Sequence, residues 1–501
     1  MPLNHQRIAD DAWTPSRGAV LLVVALAALA AGIVALACTP NGPSGWHFAM
    51  NNIEAAENLL EGRGAYQSGG EPFLSWPPLL VVLLAGGKLA GLRYVTACTL
   101  IAVLATFATV YAHGRLLLEF SRRAWVAAGG IAVVVVSPYF VPMMASTRSQ
   151  PLFMALAALS VWWLVQWVRA PARRLEFALA AGGLLACLHR YDGLVLAAVI
   201  AGVVCCARTE LAFSRRLRTA LAIGAAAVLP LAAWMLRNRA VSGTFSGARL
   251  PAELTLGDQI RDVARTAALW LVPGPANPLT QALAAALVAL LALWVPRRCS
   301  RTTRWRALAL VSFPALYAAA LMLLAASVEL DVLGERLAVP SMTYLVTLAV
   351  LALADETLWP PRAARVLATA LPAAYVLAHL AFHAPTLVAN CDPERTRAAG
   401  DFAVARWIDP DFGRWLREHP LPERLLSNAP AAVLLGADRV ARPVDPEAWR
   451  EALAALDEPA VLVWQLRKRE AKDVEQMRAE FALEPLATFE SWHIYRVQPR
   501  R

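Results

Sequence analysis

Residues 151–174 read PLFMALAALSVWWLVQWVRAPARR. Positions 151–168 carry no charge, and Arg169, Arg173 and Arg174 follow at once. A helix rises ~1.5 Å per residue, so a run of this length reaches across the ~30 Å hydrocarbon core of a bilayer. Lipid offers the backbone no hydrogen-bond partners, so such a run must be helical. Arginines gathered at one end mark the cytoplasmic side, where basic loops accumulate. This unit, an apolar block closed by a short basic loop, repeats along the chain and decides the fold.

Blocks of this kind lie near 19–38, 94–114, 126–144, 151–168, 176–189, 194–208, 219–236, 278–296, 306–327, 339–354 and 364–384. They predict an all-α polytopic membrane domain of about 11 transmembrane helices. One set of loops holds Arg115/Arg122/Arg123, Arg169/Arg173/Arg174, Arg208/Arg215/Arg216/Arg218, Arg297/Arg298/Arg301/Arg304/Arg306 and Arg362/Arg365. By the positive-inside bias these face the cytoplasm. The loops between, 39–75, 145–150, 190–193, 237–277 and 328–338, are richer in Pro and Gly and are expected outside. The segment 75–92, SWPPLLVVLLAGGKLAGL, is apolar, yet counting it as a span would put the 115–123 arginines outside. It is therefore read as a helix on or dipping into the outer leaflet, with a true span as the alternative.

The first block, 19–38, is too long for a signal peptide and many spans follow it. It is read as an uncleaved helix behind a cytoplasmic tail, 1–18, with the transmembrane domain covering 19–389. From 390 to 501 charge becomes frequent. Leu425–Ser427, Ala460–Leu466 and His493–Val497 read as strands, and Pro446–Leu456 and Val474–Ala482 as helices. This is a small α/β soluble domain, extracytoplasmic by parity.

Of the 501 residues 58% are hydrophobic and 17% charged, against roughly a quarter charged in soluble proteins. The net charge of +10 is spread as short arginine clusters between apolar blocks, which argues against nucleic acid as a partner. The seven cysteines form no CxxC pair, and most sit inside apolar blocks as small hydrophobes.

Four places outside the spans carry chemistry. In the first outer loop, WHFAMNNIEAAENLLEGRGAY, Met50, Ile53, Ala56 and Leu60 repeat at helical spacing, with Glu54, Glu57 and Glu61 on another face. This predicts a surface helix whose carboxylates serve as general base, hold a divalent cation, or simply face solvent. His189-Arg190-Tyr191-Asp192-Gly193 closes the fifth span. A charged pair there is either functional or an ion pair orienting the helix. Arg237 and Arg239 follow the seventh span, Arg249 lies beyond Gly243 and Gly247, and Arg336 precedes the tenth span. Arginines outside run against the positive-inside bias, and a planar guanidinium suits phosphate.

Taken together these segments resemble the polytopic glycosyltransferases of the GT-C class, in the bacterial family 39 branch of mannosyl- and aminoarabinose-transferases. The resemblance rests on short motifs in order over 18–345: Ala56–Gly64, Trp76-Pro77-Pro78-Leu79, Ser137-Pro138, Ser149-Gln150-Pro151-Leu152-Phe153, Arg190-Tyr191, Trp234–Asn238 with Ser242-Gly243-Thr244, and Arg336-Leu337. Leu426-Ser427-Asn428-Ala429-Pro430 is similar to the soluble domain of some members. The resemblance implies transfer of a sugar from a polyprenyl-phosphate carrier to a lipid, glycan or protein acceptor outside an inner (plasma) membrane. It implies Arg190, Arg237, Arg249 and Arg336 as ligands of the donor phosphate. It also implies an acid in the first outer loop as base or metal ligand; Mg2+ or Mn2+ would be the cofactor, if any, and Glu54 its ligand. Two family acids are missing: Phe48, beside His47, stands where an Asp is usual, and Gln150 where a Glu is frequent. Glu54, His47 and Asp192 are the candidate replacements. The alternative reading is a catalytically degenerate relative that binds lipid-linked sugar or scaffolds envelope assembly.

Overall fold

The computed structural model describes residues 14–39, 42–44, 46–67, 71–207, 210–247, 252, 254–275, 277–297, 301–328, 337–391, 410–419, 424–437, 439–446, 448–465, 471–489 and 491–499. It is a helical membrane domain followed by a small sheet domain. In chain order the helices are α1 Arg17–Ala37, α2 Trp46–Leu60, α3 Leu79–Leu89, α4 Tyr94–Ser121, α5 Ala124–Val136, α6 Phe140–Met144, α7 Gln150–Arg169 and α8 Arg173–His189. They continue as α9 Gly193–Cys206, α10 Phe213–Ser242, α11 Leu256–Leu271, α12 Pro278–Arg297, α13 Arg301–Ala325, α14 Val339–Leu353 and α15 Ala364–Cys391. Among the described residues six helices, in α1, α4, α7, α10, α13 and α15, are long and apolar enough to cross a membrane. Shorter apolar helices lie between them, so the chain is a multi-pass membrane protein.

Three sequence expectations change. The block 126–144 is two helices, because Ser137-Pro138 breaks it and a short helix at Phe140–Met144 follows. Proline bars the helical conformation in the residue before it, and Ser137 is extended at φ −55°, ψ 137°. The loop 237–277 contains the amphipathic helix α11, opened by a capping box in which Thr255 and Asp258 bind each other's backbone N–H. These bonds, with Arg261 nearby, hold the Asp258 carboxyl below the usual carboxylate range. The third change concerns α2: Asn52, Glu54 and Ala55 are buried along with Met50, Ile53 and Ala56, while Glu57 is half-buried and Glu61, just past the helix, is exposed. The segment α3 has 11 residues, ~16 Å of helix, too short to span the core.

Helix ends sort onto two faces. On one, Glu119 of α4 is buried and accepts from Gln166 (2.7 Å) and Arg169 (3.2 Å) of α7 and from Arg306 (3.3 Å) of α13. Arg123 pairs nearby with Glu356, just past α14. A carboxylate this deep requires such compensation. On the opposite face the long loops meet: Ser44 bridges Ser146, and the 65–74 segment reaches the end of α10. Between the faces α1, α4 and α5 approach closely. A Cβ on Gly114 would fall 2.6 Å from Val23 and 2.7 Å from Ile131, so only glycine fits.

The C-terminal domain holds β1 Leu425–Ser427, β2 Arg442–Pro443, β3 Ala460–Gln465, β4 Leu483–Thr488 and β5 Trp492–Val497, in the order β2-β1-β3-β5-β4. The first three are parallel, with Leu426 opposite Leu462, and β5 runs antiparallel to both β3 and β4. Helices α16 Pro410–Glu418, α17 Pro430–Ala437, α18 Trp449–Ala454 and α19 Ala471–Glu480 accompany them. The central strand β3 is buried on both faces: Leu462 and Trp464 pack with Leu453 and Met477, Val461 and Val463 with Phe412 and Val433. A strand covered twice is continuously apolar rather than alternating. Ala431 and Leu434 of α17 join the cluster of Ala49, Met50 and Ile53 on α2 and Leu84 on α3. The sheet domain is thereby seated on the first long loop.

Candidate functional site

The turn between α8 and α9 is built for a charged pair. Gly193 must be glycine, since a Cβ there would lie 2.4 Å from the Ala186 carbonyl. The tight turn sets Arg190 and Asp192 side by side. The Arg190 Nε donates to Asp192 Oδ1 at 2.8 Å and its Nη2 to Oδ2 at 2.7 Å, a forked arrangement. Its Nη1 donates to Ser149 Oγ at 2.6 Å, at the start of α7. Tyr317, from the middle of α13, donates its hydroxyl to Asp192 Oδ2 at 2.9 Å. The Phe153 ring lies 5.4 Å beneath the guanidinium. His189 reaches the Ser149 carbonyl at 2.6 Å. Arg190 is 6% exposed, so both charges are compensated within the protein.

Tyr191 points the other way and links this turn to the long loops. Its hydroxyl donates to the Leu74 carbonyl (2.8 Å) and accepts from Asn238 Nδ2 (3.1 Å). Asn238, wholly buried, also donates to the Phe245 carbonyl at 3.2 Å. Arg237 spends its Nη2 on the Ala65 carbonyl (2.9 Å) and its Nη1 on the Phe73 carbonyl (3.0 Å) and Asn238 Oδ1. Its plane lies 4.9 Å from the Trp234 ring, which also borders the cluster around α2. The 65–74 segment is thus riveted to α10 and to the α8–α9 turn, beside the helix that bears Glu54. Glu54 itself is 4% exposed.

The structure links the Arg190–Asp192 turn to Arg237 through Tyr191 and Asn238, and Trp234, beside Arg237, packs against the helix that bears Glu54. Arg190 and Arg237 are engaged by protein groups, a carboxylate and carbonyls respectively. Asp192 is the counter-ion of Arg190, which is the ion-pair alternative of the sequence reading. Arg249 and Arg336 lie outside the described residues; so does the His47 side chain, though its backbone belongs to α2. Gln150 is buried beside Ser149, and neither atom of its amide is hydrogen-bonded among the described residues. Among the described residues no three His, Cys, Asp or Glu side chains gather as a metal site. Tyr317 was not picked out by the sequence, and Ser149 only as part of the Ser149–Phe153 motif. A single phenol inside an apolar block carries no spacing signal, and its partner lies 125 positions away.

No protein-family model and no curated protein matches the chain. Solved structures do. The chain is similar to ArnT from Cupriavidus metallidurans bound to undecaprenyl phosphate, with TM-score 0.61 at 14% identity over 96% of this chain and 98% of that one. The apo state of the same protein gives TM-score 0.60 at 14% identity over 95% and 97%. The likeness runs through both the helical domain and the sheet domain. The chain has the fold of these structures.

Proposed function

We propose that the chain is a membrane glycosyltransferase that moves a sugar from a polyprenyl-phosphate donor to an acceptor on the extracytoplasmic side. The observation that carries the reading is the convergence of four chain-distant segments, 65–74, the α8–α9 turn, the end of α10 and α2, on one long-loop face. They do so in a fold whose solved neighbour holds undecaprenyl phosphate. On this reading the arginine-rich face is cytoplasmic, the N-terminus with it, and the sheet domain lies outside an inner (plasma) membrane.

In an inverting transfer the acceptor O–H or N–H attacks the anomeric carbon, the bond to the carrier phosphate breaks, and the acceptor proton passes to a base. Negative charge collects on the departing phosphate, so guanidinium groups fixed beforehand lower the barrier. Arg336 and Arg249 are the direct phosphate ligands in this scheme. Arg190 and Arg237 shape the wall that holds the phosphate, and add their field to it. Glu54 is the base; Asp192, tied to Arg190 and Tyr317, is a positioning residue. The residues present fit Mg2+ or Mn2+ poorly, since the described ones offer no three-ligand cluster.

The test is transfer from a radiolabelled polyprenyl-phosphate sugar by the purified protein in lipid nanodiscs. Arg336→Ala is expected to lower turnover about 10²- to 10³-fold, the cost of one transition-state donor, with expression intact. Unchanged turnover removes Arg336 from the site. The buried, unpartnered Gln150 amide favours a second reading, a relative that binds lipid-linked sugar without transferring it. Donor binding without product formation would select that reading.

A further inference from the structure

Away from this site, α15 carries a row of polar side chains in an apolar setting. Tyr375, His379 and His383 are spaced by four residues, so they line one face of the helix. His379 is wholly buried and His383 is 3% exposed. Among the described residues Nε2 of His383 and the hydroxyl of Tyr375 make no hydrogen bond, and the ring nitrogens of His379 meet no polar group beyond the Leu271 carbonyl. Their surroundings are apolar: Tyr375 packs with Leu271 and Val272 at the end of α11 and with Ala349 of α14. The carbonyl of Leu271 faces the His379 ring. Polar atoms left unsatisfied in a buried row are destabilising unless something binds them.

The spacing of the rings says what would. Two histidines at i and i+4 on a helix face chelate a single ion, as in helical zinc motifs. A tetrahedral ion ~2.0–2.1 Å from each coordinating nitrogen holds the two ring centroids ~5–6 Å apart. The centroids of His379 and His383 are 5.5 Å apart, and Tyr375 lies 4.5 Å from His379. We propose that His379 and His383 chelate a divalent first-row transition-metal ion of the zinc class, with the Tyr375 phenol as third donor. The Leu271 carbonyl or a water completes the set. Two neutral imidazoles would leave a double positive charge among aliphatic side chains, which is costly. Release of the Tyr375 proton to bulk water on binding halves it, as coordination does for other acidic ligands. The site is independent of the transfer reaction and shares no residue with it.

The experiment uses the full-length protein purified through a histidine-free tag, stripped with a chelator and titrated with Co2+, whose visible d–d absorption reports coordination. One Co2+ per chain is expected, displaced by Zn2+. His379→Ala and His383→Ala are each expected to weaken binding at least tenfold. The double variant His379→Leu/His383→Leu, which keeps the row filled and removes its donors, is expected to abolish it. Tyr375→Phe is expected to keep the stoichiometry and change the spectrum. Sub-stoichiometric binding by the wild-type chain, or unchanged binding by the double Leu variant, overturns the proposal. Should the double variant not fold, X-ray absorption of the zinc-loaded wild type decides, since absence of a two-imidazole signature overturns it equally.

Discussion

Asp192 and Arg190 form a buried pair whose two halves are unequal in isolation. Removing the carboxylate leaves a guanidinium that is 6% exposed with only Ser149 to accept from it. Breaking a buried pair from one side costs about 3–5 kcal/mol, whereas replacing both charges is much closer to neutral. Asp192→Ala is therefore expected to lower the thermal midpoint markedly, and Arg190→Met in the same chain to recover part of the loss. A double-mutant cycle by fluorimetry in detergent reads this directly. Additive losses would show that the pair is not coupled. Tyr191→Phe tests the link between segments. It removes the donor to Leu74 and the acceptor for Asn238, stranding a carbonyl and an amide. The expected cost is about 1–3 kcal/mol per buried group left unsatisfied. Transfer should fall further than stability alone explains, because the 65–74 segment is then held to α10 by Arg237 and no longer to the α8–α9 turn.

Within single elements, the sheet domain holds a proton-sensitive contact. On β5, His493 Nδ1 and the Tyr495 hydroxyl share a hydrogen bond (2.7 Å), while Arg478 of α19 donates to the same oxygen (3.2 Å). Burial first, and the nearby Arg478 second, hold the His493 pKa below its ordinary value. A histidine depressed in the folded state binds its proton more readily when unfolded, so it destabilises the fold as pH drops below about 6.5, the unperturbed value. Amide exchange in β5 is expected to quicken between neutral pH and pH about 5 in the wild type, and much less so in His493→Gln. Equal acceleration in both would place the sensitivity elsewhere. The same element scale shows what could be read in advance. The strands at 425–427, 460–465 and 492–497 were legible because each is a compact β-rich run between turn residues. Strand β4 was not: Glu484 and Pro485 interrupt its apolar residues, and it lies at the sheet edge, paired with β5 alone. Helix α2 was legible as a helix, but its burial was not. Glu54 reads as solvent-facing from the 3.6-residue period, and only the docking of α3, Trp234 and α17 around α2 buries its far side.

Across the whole molecule, the span pattern was legible because charge and hydropathy are local, while the site was legible only as a set of residue types. Nothing in the chain order announces that Tyr317 meets Asp192, or that a helix of the sheet domain meets the first long loop. Those contacts arise where elements distant in sequence share one face of the bundle. The seat of the sheet domain is the largest of them, and it has a function to perform if Glu54 is the base. Leu434 of α17 is fully buried among Met50, Ile53 and Leu84, so the domain shields one side of the helix that bears Glu54. Leu434→Asp would put an unpaired carboxylate into that contact, at a cost of several kcal/mol that undocking relieves. The sheet domain should stay folded, because its own clusters of Val461 and Trp464 do not involve Leu434. Hydrogen–deuterium exchange is expected to rise across 49–60 while β3 remains protected, and transfer is expected to fall as water reaches the site. Unchanged protection of 49–60 would mean that α2 is held by the membrane domain alone, and that the sheet domain takes no part in closing the site.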